Sequence, residues 1–144
     1  MSSVHDVAAY ILDKSGTMSH MKLQKLVYYC QAWSLVWDEE PLFPERIEAW
    51  VSGPVVPSLF AELRKLFRVV RVNVRKGNPK KLTAQQRETV DAVLGFYAKK
   101  DPQWLSDLTH MEAPWQNARK GLMPDERGTR EITRAALAEY YGSL

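Results

Sequence analysis

Residues 20–37, "HMKLQKLVYYCQAWSLVW", constrain the fold more than any other stretch of this chain. At about 100° per residue, Leu23, Leu26, Val27, Cys30, Trp33 and Trp37 share one face of a helix, and Met21, Tyr28, Ala32 and Leu35 fall on the opposite face. A helix that is apolar nearly all round has to be covered on both sides. The stretch therefore predicts a buried central helix against which the other elements pack.

The rest of the pattern supplies the shell. Ser3 with Asp6 three residues on reads as a capped start for a helix over 3–14, and Ser15-Gly16 ends it. "EEPLFPE" (39–45) is a turn-rich connector. Residues 46–51 alternate Ile47, Ala49 and Val51 against Glu48 and Trp50, the period of a half-buried strand. "SGPVVP" breaks that strand, and Pro57 opens a helix over 57–67 with Leu59, Leu63, Leu66 and Phe67 inward. Residues 68–75 alternate again, Val70, Val72 and Val74 against Arg71, Asn73 and Arg75, and read as a strand. Thr83 and Gln86 cap a helix from 84 to about 99. Short helices follow from Asp101-Pro102 and after the turn at 109–115, and 130–141 reads as a terminal helix. The reading is mainly α (α+β): a compact helical domain, 1–144, around a buried central helix, with a small antiparallel sheet.

Composition excludes several classes. A hydrophobic share of 45% and a charged share of 26% are those of a soluble globular protein. No apolar run approaches the ~18 residues of a membrane span. The first residues lack a basic n-region and carry Asp6 among apolar ones, so they do not read as a signal peptide, and a cytoplasmic location is expected. One cysteine, Cys30, permits neither an intrachain disulfide nor a cysteine-rich metal site.

Templates for enzyme chemistry fail. There is no glycine-rich phosphate loop, no nucleophile elbow and no paired-histidine zinc helix. His110 and Glu112 have the His-x-Glu spacing of zinc deaminases but no Cys-x-x-Cys partner. Hydrogen bonding at a chain turn is the simpler role for His110. Cys30 lies on the most apolar helix face, where a thiol is inert packing. His5 and His20 sit near helix starts and are expected in solvent. No cofactor, metal or catalytic residue is expected.

Charge, by contrast, is informative. The net charge is +3, yet residues 64–81 hold eight of the twenty basic residues and no acidic one. The remainder is acidic, with twelve basic residues against seventeen. Three readings of this insert stand side by side: a charged edge that blocks sheet association, a nucleic-acid strip, and a docking site for an acidic protein partner. The nucleic-acid case is the thinnest, since no aromatic is interleaved with Arg71 and Arg75. Lys22 and Lys25, with Gln24 and Tyr28, form either a polar patch on the central helix or, the preferred reading, stems on apolar surface with amines in water. Trp50, on the Glu48 side of its strand, is either covered by a second layer or exposed for a partner.

Taken together, "KLQKLVYYCQAWSL", "PLFPERIEAWVSGPVVPSLF" and "LTHMEAPWQNAR" resemble the Panacea antitoxin domain, also described as the GepA-like or SocA-like phage-associated family. The most specific parts are Lys22, Leu23, Gln24, Lys25 and Leu26; the block from Ala49 through Gly53 and Pro54; and the block from Thr109 through His110, Glu112, Pro114 and Trp115. Pro41 and Leu42 belong to the same pattern. The resemblance implies a non-enzymatic, phage- or prophage-borne antitoxin that neutralises a toxin encoded beside it by direct protein binding. It also implies, as an alternative, an adaptor that delivers the toxin to a protease, with a protease or chaperone as further partner. The 64–81 stretch matches least, so it is expected to help choose the partner. The expected binding surface comprises Lys22, Lys25, Tyr28, Trp50, Arg68, Arg71, Asn73 and Arg75.

Overall fold

The central helix forms as expected and is enclosed. In the computed structural model, which describes residues 2–144, it spans His20–Trp37 and is here α2. Around it run α1 (Val4–Ser15), β1 (Met18–Ser19), β2 (Ile47–Trp50), β3 (Gly53–Val55), α3 (Pro57–Leu63), β4 (Arg68–Val69), α4 (Ala84–Tyr97), α5 (Pro102–Met111), α6 (Ala113–Ala118), β5 (Glu131–Ile132) and α7 (Arg134–Gly142). Helix α2 packs on α4 and α7 most extensively, then on β3, α5 and α1. Leu23, Leu26, Val27, Tyr29, Cys30 and Ala32 are wholly buried along it. The protein is mainly helical with a small antiparallel sheet, as its pattern predicts.

Local chemistry sets the helix ends. Ser3 and Asp6 form a reciprocal capping box on α1, and Thr83 with Gln86 does the same for α4. Ser19 accepts the Lys22 amide at the start of α2. Asp101 caps α5, with Pro102 in the first turn, where its missing N–H costs nothing.

Strand β2 is the centre of a three-stranded sheet in the order β3-β2-β5. Its register pairs Ala49 with Pro54 and Ile47 with Ile132. Strands β1 and β4 form a separate two-residue ladder, Met18 against Val69 and Ser19 against Arg68.

Several expectations are corrected. The strand over 68–75 is only two residues long, because β1 offers it only two residues to pair with. The chain then turns through Arg71–Asn73, where Asn73 Oδ1 accepts the Val70 amide at 2.8 Å. Val74 goes into the core while Val72 is left in solvent. Helix α3 stops at Leu63, so Leu66 and Phe67 are not on a buried helical face; Phe67 is exposed. "SGPVVP" is not simply a break, since Gly53–Val55 returns as β3 on the edge of the sheet. Residues 131–132 are a strand and α7 begins at Arg134. Trp37, at the end of α2, is half exposed. His5 and His20 are buried rather than solvated. His5 Nδ1 lies 2.7 Å from Glu62 Oε1, and His20 stacks on Phe60.

Candidate functional site

The three motif blocks meet as a buried polar seam around α2. Gln24 Oε1 accepts the Val56 amide at 2.9 Å, tying α2 to the start of α3, and Gln24 Nε2 donates to His20 Nε2. His20 can accept that bond only as a neutral ring, and burial with Lys25 nearby pushes its pKa down to about 4. Gln31 clamps the connector: its Oε1 accepts the Leu42 and Phe43 amides and its Nε2 donates to Phe43 O. Leu42 is thereby held wholly inside, with Pro41 half-buried before it.

Glu112, at the junction of α5 and α6, is the buried acid of the seam. Its Oε1 accepts hydrogen bonds from Tyr29 and Tyr141 hydroxyls, both at 2.7 Å. Tyr141 spends its proton on Glu112, so Tyr28, 3.0 Å away, is the donor between those two hydroxyls. Burial raises the Glu112 pKa, and the two tyrosine bonds only partly offset that. Pro114, two residues on, is buried in the first turn of α6. His110 makes the local contact expected of it, Nδ1 lying 2.6 Å from Ser106 O, but it also reaches the β2–β3 hairpin, Nε2 lying 3.0 Å from Val51 O. Trp115 packs against His110 and donates to Trp50 O. Cys30 is fully buried, and burial raises its thiol pKa so that a thiolate is disfavoured.

Two of the residues expected on the binding surface are withdrawn from it. Tyr28 is buried in the Glu112 network. Lys25 is 1% exposed, and its Nζ has no hydrogen-bond partner among the described residues. Neither a surface patch nor an amine reaching water describes it: the stem runs under Gly53, and burial alone pushes its pKa down to about 8. Gln24, placed in the same patch, is likewise wholly buried. Lys22 is half-buried and donates from Nζ to Ala98 O, bracing the C-terminal end of α4. Trp50 is half-covered by Phe60, which meets it edge-on at 4.9 Å, and its Nε1 donates to Glu48.

The basic segment meets the seam at the start of α2, where Phe67 O accepts the His20 amide at 2.8 Å. Arg64, Lys65, Arg68 and Arg75 are exposed, and in the same stretch of sequence so are Phe67 (79% exposed) and Val72 (73% exposed). Val70 is also exposed beside them. Arg71 is turned aside: its Nε pairs with Asp13 at 3.3 Å and its guanidinium donates to Val74 O. Asn73 is half-buried and engaged in its own turn. The segment is anchored at both ends, by the β1–β4 ladder and by Glu62 Oε2, which accepts the Lys76 amide at 2.8 Å. Phe67 and Val72 were missed as surface anchors because alternation and helical period both placed them inward.

One buried cation also escaped the sequence reading. Arg119 is 5% exposed and has no carboxylate partner among the described residues; it donates to the carbonyls of Ala49, Met123 and Glu126 and lies over the Trp115 ring. Its only signal was its place at the end of "APWQNAR". No cluster of three or more metal-ligating side chains occurs among the described residues, and none of the helices they form is long and apolar enough to cross a membrane.

A sequence model of the family described as "Antitoxin SocA-like, Panacea domain" matches residues 23–116. That span carries α2 from Leu23 onward, the β2–β3 hairpin, the basic segment and the Glu112 junction. No curated protein and no solved structure matches the chain.

Proposed function

The chain belongs to the SocA-like antitoxin family with a Panacea domain, and on that premise we propose that it neutralises a toxin protein by direct binding through residues 64–76. The observation that carries this reading is the presence, on one stretch, of large exposed apolar side chains and of positive charges that form no ion pair among the described residues. Phe67 and Val72 are exposed and alternate in sequence with exposed Arg64, Arg68 and Arg75, on a segment whose backbone is held by the β1–β4 ladder and by Glu62. Apolar side chains that can be fully desolvated supply binding energy, and the surrounding guanidinium groups select an acidic counterpart and speed the encounter. Two further exposed aromatic residues, Phe96 and Trp104, are already bridged by the Lys100 ammonium at 5.4 and 4.8 Å and are less available. An interface of standard size, ~1,600 Å² in total, would occlude the toxin's working surface.

The test is co-expression with the product of the neighbouring reading frame, followed by size-exclusion chromatography. The wild-type chain should co-elute with that protein and protect cells from it. A variant carrying Phe67→Asp and Arg68→Glu should keep its circular dichroism spectrum and lose both properties. Retained protection would refute the surface assignment. Retention on DNA with log affinity falling linearly in log salt would favour a nucleic-acid partner instead.

A further inference from the structure

A cavity of about 320 Å³ opens where β2 and β5 part company, between Trp50, Val51 and Ser52 on one wall and Arg127, Gly128 and Thr129 on the other. The two strands pair through Ile47–Ile132 and Glu48–Glu131, and the Ala49 amide still donates to Arg130 O. Beyond that bond the ladder ends and the walls separate. The volume falls at the lower end of the range of small-ligand sites, and the lining is chiefly apolar with few polar groups, the usual composition of such sites.

Both walls are held rigid. The Trp50 indole is fixed by its bond to Glu48 and by Phe60, and its carbonyl by Trp115. The opposite wall is tied down by Arg119, which bonds Ala49 O beneath it and the Met123 and Glu126 carbonyls just before it in the chain. Gly128 packs closely there: a Cβ would come within 2.8 Å of the Leu122 side chain and 2.9 Å of the Arg119 guanidinium, so either would have to shift to admit one. Pre-organisation of this kind lowers the cost of binding. Among the described residues the Arg127 guanidinium has neither an ion pair nor a hydrogen bond, whereas Arg46, Arg119 and Arg130 are all engaged.

We propose that this cavity binds a carboxylate carried on a flat apolar group, the ring lying against Trp50 and the carboxylate meeting Arg127. A planar guanidinium matches the two oxygens of a carboxylate, and the Ser52 and Thr129 hydroxyls add donors beside it. A single free cation suits a monoanion better than a doubly charged phosphate. The wall that carries the charge, residues 127–129, lies beyond the residues 23–116 matched by the family model. The site stands independently of the toxin-binding surface.

Titration of the full chain with indole-3-acetate, followed through the tryptophan indole N–H resonances in a ¹H–¹⁵N spectrum, tests the proposal. A Trp50→Phe variant identifies the Trp50 signal. That signal should move saturably, and Arg127→Gln should weaken binding by about tenfold or more with the fold unchanged. Uncharged indole should bind more weakly by a similar factor. Tighter binding of N-acetyl-tryptophan than of indole-3-acetate identifies the terminus of a peptide as the source of the carboxylate; the reverse order identifies a free small acid. Absence of a saturable Trp50 shift, or equal affinity of the wild type and Arg127→Gln, overturns the site.

Discussion

The Lys25 side chain occupies the space that a Cβ on Gly53 would need: such a carbon would lie 2.7 Å from Lys25 Cε and 3.1 Å from its Nζ. Gly53 also sits at φ 117°, a conformation that L side chains rarely adopt. Backbone strain and overpacking therefore act at one position, each worth about 1–3 kcal/mol. Gly53→Ala should lower unfolding stability by roughly 3 kcal/mol in a urea titration. Adding Lys25→Ala should return the overpacking part and leave the strain, so the two substitutions should be non-additive. Simple additivity would mean that the pair does not share this space.

Lys25 also sets a pH dependence. Its amine has an ordinary pKa of 10.5, pushed down to about 8 in the folded state by burial. Between those values the unfolded chain binds more protons than the folded one, so stability rises with pH through this window and the deficit is complete below about 8. The deficit amounts to roughly 3 kcal/mol. Lys25→Met, which keeps the stem and removes the amine, should raise the melting temperature at pH 7 and flatten the profile between pH 8 and 10. The measurement belongs below pH 10, because the buried hydroxyls of Tyr28, Tyr29 and Tyr141 have raised pKa values and act with the opposite sign above it. An unchanged profile in Lys25→Met would place the amine in solvent.

Glu112 should behave as an acceptor first and a charge second. Ala at this position leaves the Tyr29 and Tyr141 hydroxyls buried without the oxygen both of them use. Each unsatisfied hydroxyl costs about 1–3 kcal/mol, so Glu112→Ala should lose roughly 2–5 kcal/mol. Glu112→Gln keeps a carbonyl oxygen and should lose less than about half of that. Equal losses in chemical denaturation would show that the charge, not the acceptor, holds the seam.

How much of this was legible in the sequence depended on whether a residue's role was local. Ser3 with Asp6 and Thr83 with Gln86 declare their helix starts because both partners of each cap lie within four residues. The burial of α2 was legible because an all-round apolar helix has no other solution. The alternation at 68–75 misled because a strand needs a partner of equal length, and β1 supplies only Met18 and Ser19. Gly53-Pro54 reads as a breaker, yet Pro54 is tolerated in β3 because that strand is an edge. Lys25 and Arg119 were illegible for a common reason. Each is a cation whose burial depends on backbone brought from far along the chain, Gly53 for the one and Ala49 for the other.

The two arginines Arg119 and Arg71 should differ sharply although both carry the same group. Arg71 is more than a third exposed, and its partner Asp13 is nearly half exposed at 3.3 Å. Water and salt screen such a pair, and Arg71→Ala should change stability by less than about 1 kcal/mol. Arg119 is buried, stacked on Trp115 and bonded to three carbonyls, one of them on the central strand β2. Its removal forfeits charge-assisted hydrogen bonds together with the packing of its stem, so Arg119→Ala should cost roughly 3 kcal/mol. Arg119→Lys keeps the charge but cannot serve three acceptors in a planar fan, and it should recover only part of the loss. Thermal unfolding at two salt concentrations separates the sites: whatever Arg71 contributes should shrink with added salt, and the Arg119 effect should not.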